Sequence, residues 1–326
     1  MRVRWIALVL VLLGGCVAAL APSAVVDPRI DARVRTTQRQ GLFLTTARIA
    51  GQDVGPFVVD TGANVLVLDT ETARRLGLPA SKVSYDRVLG QTVQTATLAS
   101  ALQVGPVTLR NTLAVILDLG PPSSALGQRL AGALGAPFFA AAIVEFDYAA
   151  GTVSCYAPGS YSLAEAQWRP LIIRDQQPAV VARLDGHAEG EFLLDTGSNG
   201  VMTLSTAFIQ KHAALELRDV RPTKRIVVAG ERPAFEGTVR SIEFGGRRFD
   251  AARVLFHRSE DEGETGVAAP GAPASGPHFD GLIGNALMRH FVVVFNYPAG
   301  KIAFLPARPR RPADRALLQL SPAPSA

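Results

Sequence analysis

Asp60 and Asp195 stand in matching surroundings. Phe57-Val58-Val59 leads into Asp60-Thr61-Gly62-Ala63-Asn64, and Phe192-Leu193-Leu194 leads into Asp195-Thr196-Gly197-Ser198-Asn199. A lone Asp-Thr-Gly is an ordinary turn, because Asp and Gly are the residues turns use. Two copies, each behind an apolar strand end, offer more. Carboxyl groups brought together resist ionising at the same time, so one stays protonated while the other is charged. Such a pair holds a general acid and a general base in one place. Gly62 and Gly197 let the chain turn tightly and leave room where a Cβ would crowd the acids.

The elements that must position these turns are duplicated as well. Gly51 and Gly186 each stand nine residues before the aspartate. Gly132-Ala133-Leu134-Gly135 leads twelve residues later to Asp147-Tyr148, Gly281-Leu282-Ile283-Gly284 leads twelve later to Asn296-Tyr297, and Gly151 and Gly300 follow at equal offsets. From Asp60 to Gly135 is 75 residues and from Asp195 to Gly284 is 89, so the second half carries about fourteen more. The stretch 260–276, acidic and then rich in Gly, Ala and Pro, is expected to be that insertion, exposed and without the ligand spacing of a calcium loop. Each half reads as strands around the Asp-Thr-Gly turn, with a short helix at 70–78 or 206–214 and hairpin tips near 89–92 and 228–231. The expected fold is mainly β, with two pseudo-symmetric barrel-like lobes. Its expected divisions are a signal segment at 1–21, a spacer at 22–40, lobes at 41–160 and 178–307 joined by 161–177, and a disordered Pro/Arg/Ala tail at 308–326.

On these paired motifs the chain resembles the aspartic peptidases, of the retropepsin-like and pepsin-like group, over nearly all of 41–306. The resemblance implies a cleft between two lobes, with Asp60 and Asp195 at its base activating a water against a peptide bond. It implies that Thr61 and Thr196 cross-link the two loops, that Gly62, Ala63, Gly197 and Ser198 support them, and that a hairpin at Gly90 and Gln91 folds over the cleft as a flap, with Tyr85 as a candidate aromatic contributor. Ser198 carries a hydroxyl able to donate toward Asp195 where Ala63 has none, so Asp195 is expected to be the more readily charged acid. The family's Asp-Gly is present as Asp280-Gly281 but replaced by Ala131-Gly132 in the first half, which predicts unequal support of the lobes. The implied partner is a protein or peptide substrate, with no cofactor, no metal and a monomeric chain. The five histidines (187, 212, 257, 278 and 290) form no His-Glu-x-x-His, and Ser198 lacks a Gly-x-Ser-x-Gly elbow, which disfavours zinc and serine hydrolases.

Composition sets the address. With 326 residues, 48% hydrophobic and 19% charged, the chain can bury a large core. The net charge of +5 is scattered and its densest run, Arg308 to Arg311, lies in the Pro-rich tail, so no nucleic-acid footprint is expected. Arg2 and Arg4 precede an uncharged stretch from Trp5 to Ala21, the layout of a secretory signal. Leu13-Gly14-Gly15-Cys16 resembles a bacterial lipobox, which implies a lipid on Cys16 and a place on the periplasmic face of the outer membrane. The alternatives are cleavage after Ala21, disfavoured by Pro22, and an uncleaved anchor. Cys155 is then the other cysteine, expected as a small buried residue rather than a nucleophile.

The leading expectation is an aspartic endopeptidase acting on extended chains. A silent peptide-binding lipoprotein on the same fold is the alternative from another class. Assembly of lobes from two chains is a third, unnecessary with both motifs in one chain.

Overall fold

The structure is a computed structural model and describes residues 23–78, 82–86, 91–228, 230–256 and 279–307. Cys16, Gly90, the expected insertion at 260–276 and the tail at 308–326 lie outside the described residues.

Each half opens with a hairpin whose turn its sequence dictates. Leu42–Ile49 and Gln52–Val59 are joined at Ala50-Gly51 with φ of 50° and 79°, and Gln177–Leu184 and Ala188–Leu194 at Asp185-Gly186 with φ of 51° and 76°. Two successive positive φ angles match the right-handed twist of the flanking strands. The hairpins deliver Asp60 and Asp195 at the ends of buried strands.

A third strand in each half holds the acid's loop from behind. Gly132–Leu134 runs parallel to Gln52–Val59 and antiparallel to Leu66–Asp69, and Gly281–Ile283 lies in the same way between Ala188–Leu194 and Met202–Leu204. These strands pass so close that a Cβ on Gly132 would sit 2.2 Å from the Val67 carbonyl oxygen, and one on Gly281 2.0 Å from that of Thr203. Only glycine fits at either crossing. Short helices follow: Thr70–Arg75, capped by the Asp69 carboxylate, and Thr206–Lys211, capped by the Ser205 hydroxyl. Both stop short of the expected 78 and 214.

Among the described residues the strands form three sheets, one of eleven strands in the first half, one of eight in the second, and one of six shared between them. In the shared sheet Ile143–Asp147 pairs antiparallel with Phe291–Asn296, so the two halves are hydrogen-bonded together along their closing strands. The stretch expected as a spacer is built into the fold instead. Ser23–Val26 pairs with Val107–Arg110, Arg33–Val34 with Thr152–Tyr156, and Thr36–Arg39 with Leu42–Ile49. The connection contributes as well, since Trp168–Pro170 extends the shared sheet beside Lys301–Pro306 and Ile172–Arg174 begins the second lobe. The pairings in both stretches have one cause: these segments are short and only weakly apolar, and partner strands far away in sequence order them.

Beneath the shared sheet lies an aromatic core drawn from both halves. Phe146 meets Phe295 at 5.7 Å edge to face, Phe43 at 5.4 Å and Phe139 at 6.3 Å, and all four rings are fully buried. Tyr148 and Tyr297 continue this core upward toward the two acids. Cys155 is buried in it, and the apolar surroundings push its thiol well up, as befits a packing residue. Phe146→Ala is expected to lower unfolding free energy by about 3–5 kcal/mol in urea titration. A loss below about 1 kcal/mol would show that the halves are not joined through this core.

Candidate active site

The Asp60 N–H donates to the Leu134 carbonyl at 3.0 Å, and the Asp195 N–H to the Ile283 carbonyl at 2.9 Å. The residues after the supporting glycines close each loop from the other side. Ala136 N–H donates to Ala63 O, and Asn285 N–H to Ser198 O, both at 2.9 Å. Each acid thus leaves the end of a strand into a loop whose backbone is spoken for on two sides.

Between the loops, Thr61 and Thr196 are fully buried and bonded reciprocally. The Thr61 hydroxyl donates to the Leu194 carbonyl at 2.6 Å and accepts the Thr196 N–H at 2.9 Å; the Thr196 hydroxyl donates to the Val59 carbonyl at 2.8 Å and accepts the Thr61 N–H at 2.9 Å. This cross-link, implied by the sequence resemblance, satisfies both buried hydroxyls and both threonine N–H groups.

The interlock brings the carboxyl groups together. Asp60 and Asp195 share a side-chain hydrogen bond, and both remain partly exposed at the floor of a cleft of about 490 Å³. A Cβ on Gly62 would lie 2.7 Å from Asp195 Oδ1, and one on Gly197 2.5 Å from Asp60 Cγ. Each glycine is therefore required by the opposite acid.

Enclosure by protein is the largest influence on both carboxyls and pushes both above the ordinary aspartate range. Asp60 is held back by donors to its charged form: the N–H groups of Gly62, Ala63 and Gly197, and the hydrogen bond from Asp195. Asp195 is driven further up by the nearby Asp60 charge, with Gly197 and Ser198 N–H in opposition. Both acids are thus pushed toward holding a proton, Asp195 further than Asp60, and these surroundings lend no support to the expectation drawn from Ser198. The Ser198 hydroxyl oxygen accepts the Gly200 N–H at 3.4 Å.

The cleft walls differ. Leu117, Leu119, Leu126 and Leu130 form an apolar wall on the first lobe. Facing it is the second-lobe hairpin of Arg218–Val227 and Gly230–Phe244, which touches the helix Gly120–Leu126 and packs Val228 against the first-lobe cluster. Gly90 of the expected flap lies outside the described residues, and Gln91 begins the strand Gln91–Leu98. The described hairpin reaching across the cleft belongs to the second lobe. A groove of about 560 Å³ elsewhere on that lobe is lined by Arg183, Glu189 and Glu243, the arginine pairing with both glutamates, and it holds no acid pair of this kind.

Several buried groups around the loops escaped the sequence reading. The Gln177 amide donates to the Gly62 carbonyl, and the Asn64 amide to Asp175 at 2.9 Å, fastening a second-lobe turn to the first-lobe loop. The Asn285 amide donates to the Thr196 carbonyl at 2.7 Å and accepts from the Tyr148 hydroxyl at 2.6 Å. Asp280 accepts the Glu191 N–H at 2.9 Å, a brace that Ala131 cannot provide in the first half. Lining up the two halves one residue at a time, beyond their matching motifs, exposes Gln177 and Asn285 as differences, as the Asp280 and Ala131 pair already did.

Comparison with curated proteins gives no match. Among solved structures, the chain is similar to the crystal structure of basic 7S globulin from soybean, at 14% identity and a TM-score of 0.44, over 85% of this chain and 94% of that chain. A family model described as aspartyl protease matches residues 45–138 and 180–287, more than half of the chain and both Asp-Thr-Gly loops. With the interlocked threonines and the paired acids in place, the chain belongs to the aspartyl protease family.

Proposed function

We propose that the protein is an aspartic endopeptidase that hydrolyses peptide bonds in extended polypeptide segments, using Asp60 as base and Asp195 as acid. The observation that carries this reading is the hydrogen bond between two carboxyls that both face an open cleft. Asp60 takes a proton from a water attacking the peptide carbon while Asp195 gives its proton to the carbonyl oxygen. On collapse, Asp60 passes its proton to the departing nitrogen and a hydroxyl of the diol returns one to Asp195, so the pair ends as it began. No covalent acyl intermediate is formed. The apolar wall opposite the hairpin suits an apolar substrate side chain, and a cleft between lobes suits an extended chain. A silent peptide binder would need only the groove, and confining two acids against each other works against folding without helping to bind.

We further propose that Cys16 is lipidated and holds the protein on the periplasmic face of the outer membrane, on the strength of the Leu13-Gly14-Gly15-Cys16 motif after the apolar run. Cys16→Ser is expected to move the protein from the membrane to the soluble fraction; retention in the membrane would overturn the anchor.

Asp60→Asn and Asp195→Asn should each reduce cleavage of fluorescein-labelled casein by about 10²–10⁴-fold or more. Full activity in either variant would reject the shared pair, and binding of peptide without turnover by the wild type would favour the silent binder. The pair also leaves a mark on stability. Because the folded protein raises the proton affinity of Asp195, the stability gained from its proton is complete below about pH 4 and is lost as pH rises through the folded value. Asp195→Asn keeps a donor for Asp60 without the ionisable proton. Its stability relative to wild type, by chemical denaturation between pH 4 and pH 8, should therefore rise toward neutral pH; a flat difference would contradict the assignment of the proton.

A further inference from the structure

Two buried side-chain amides stand behind the acids, and both come from the second lobe. Gln177 is 3% exposed and donates to Gly62 O; Asn285 is 2% exposed and donates to Thr196 O. Each grips the carbonyl end of a peptide unit whose N–H end lies at one of the two aspartates. The Ala63 N–H of the Gly62–Ala63 unit donates to the Asp60 main-chain carbonyl at 3.4 Å and lies near enough to the carboxylate to favour its charged form, and the Thr196–Gly197 unit presents the Gly197 N–H to Asp195 Oδ1 at 2.8 Å and favours the charged form of Asp60 as well.

The halves of the molecule differ at these two positions. Gln177 stands eighteen residues before Asp195, and the residue eighteen before Asp60 is Leu42; Asn285 follows Gly284, and the residue after Gly135 is Ala136. The turns that aim them are conserved in shape, since Asp175-Gln176 and Gln40-Gly41 both have positive φ, at 47° and 66° and at 47° and 85°. The consequence of the missing amide is visible at Tyr297. Tyr148 gives its hydroxyl to Asn285, whereas Tyr297, whose counterpart partner would be Ala136, buries its hydroxyl without a hydrogen bond among the described residues.

We propose that Gln177 and Asn285 are positioning residues that set the proton affinity of the acid pair through these two peptide units. This rests on the peptidase reading above. A hydrogen bond at the carbonyl polarises the peptide and strengthens the N–H at its other end, besides fixing the plane in which that N–H points. A stronger donor favours the charged carboxylate. Gln177 therefore acts on Asp60 alone, and Asn285, reinforced by Tyr148, on both acids. The other titratable or charged groups facing the pair are Tyr148 and Tyr297 beneath it, Lys224 and Arg225 across the cleft, and Asp175 behind Asn64.

The test is the pH profile of casein cleavage for the full-length protein. Gln177→Leu, which installs the first-half residue, should move the acid limb upward by about 0.5–1 pH unit, a three- to tenfold change in proton affinity. Asn285→Ala should move both limbs upward, and Tyr148→Phe, which leaves the amide in place, should do the same by less. Tyr297→Phe removes a hydroxyl that has no hydrogen bond among the described residues and should leave the profile unchanged. Loss of rate or melting temperature in Gln177→Leu, Asn285→Ala and Tyr148→Phe with unmoved limbs would make these residues merely structural and overturn the proposal. A second readout needs no substrate: the pH at which Asp195→Asn gains stability over its parent should rise in the Asn285→Ala background. If the wild type does not cleave casein while that pH still rises, the peptidase reading fails and the control of proton affinity stands. An unchanged onset would sink the latter on its own.

Discussion

The structure depends on the exchange of hydrogen bonds between Thr61 and Thr196. Each hydroxyl donates to the carbonyl before the opposite aspartate and accepts the opposite backbone N–H, so neither loop completes its bonding without the other. Both side chains are fully buried, where an unpaired hydroxyl or amide would be costly. Once the threonines interlock, the residue before each and the glycine after it have little freedom. The carboxyls are then forced into the same small volume, an arrangement no folding preference would choose. What offsets it lies beneath: the antiparallel pair at the center of the shared sheet and the aromatic rings of Phe43, Phe139, Phe146 and Phe295. The interlock is thus a point of strain in charge placed on top of a core strong enough to hold it.

Duplication has not left equal halves. The second lobe supplies Asp280, Asn285 and Gln177, all hydrogen-bonded to backbone around the loops, where the first has Ala131, Ala136 and Leu42. The first lobe instead supplies the apolar side of the cleft. Even the acids follow this division, for Asp60, on the lobe with fewer side-chain braces of its own, receives more backbone donors and is pushed up less than Asp195. A twofold axis in the backbone therefore coexists with a one-sided distribution of polar support. Two lobes of one chain can drift apart in this way because each position mutates separately, while the strands and the glycine crossings that define the fold remain common to both.

The matched motifs made much of this legible. The apolar run, the Asp-Thr-Gly turn and the later apolar-apolar-Gly strand are local patterns, and spacing alone showed that they recur. The glycines could be read because a close approach leaves one residue type possible. Less legible were the segments at 23–39 and 168–174, whose strands exist because partners far away in sequence pair with them. The hydrogen-bond partners of Ser198 were equally hidden, since a hydroxyl's partners depend on which groups lie near it, and its oxygen accepts the Gly200 N–H. Gln177 was hidden because a glutamine at the start of a strand carries no signal of what its amide will meet.

The sequence by itself determined that there are two equivalent halves, that each presents one aspartate in a tight turn, and that a small residue must follow. Those are matters of residue type and spacing, which local sterics and strand periodicity translate directly. Only the tertiary structure decided that the two acids meet, that both are pushed toward holding a proton, and which amides stand behind them. Proton affinity is set by desolvation and by the direction of a few N–H bonds within some 3 Å, and those vectors come into being only when chain segments more than a hundred residues apart are packed together.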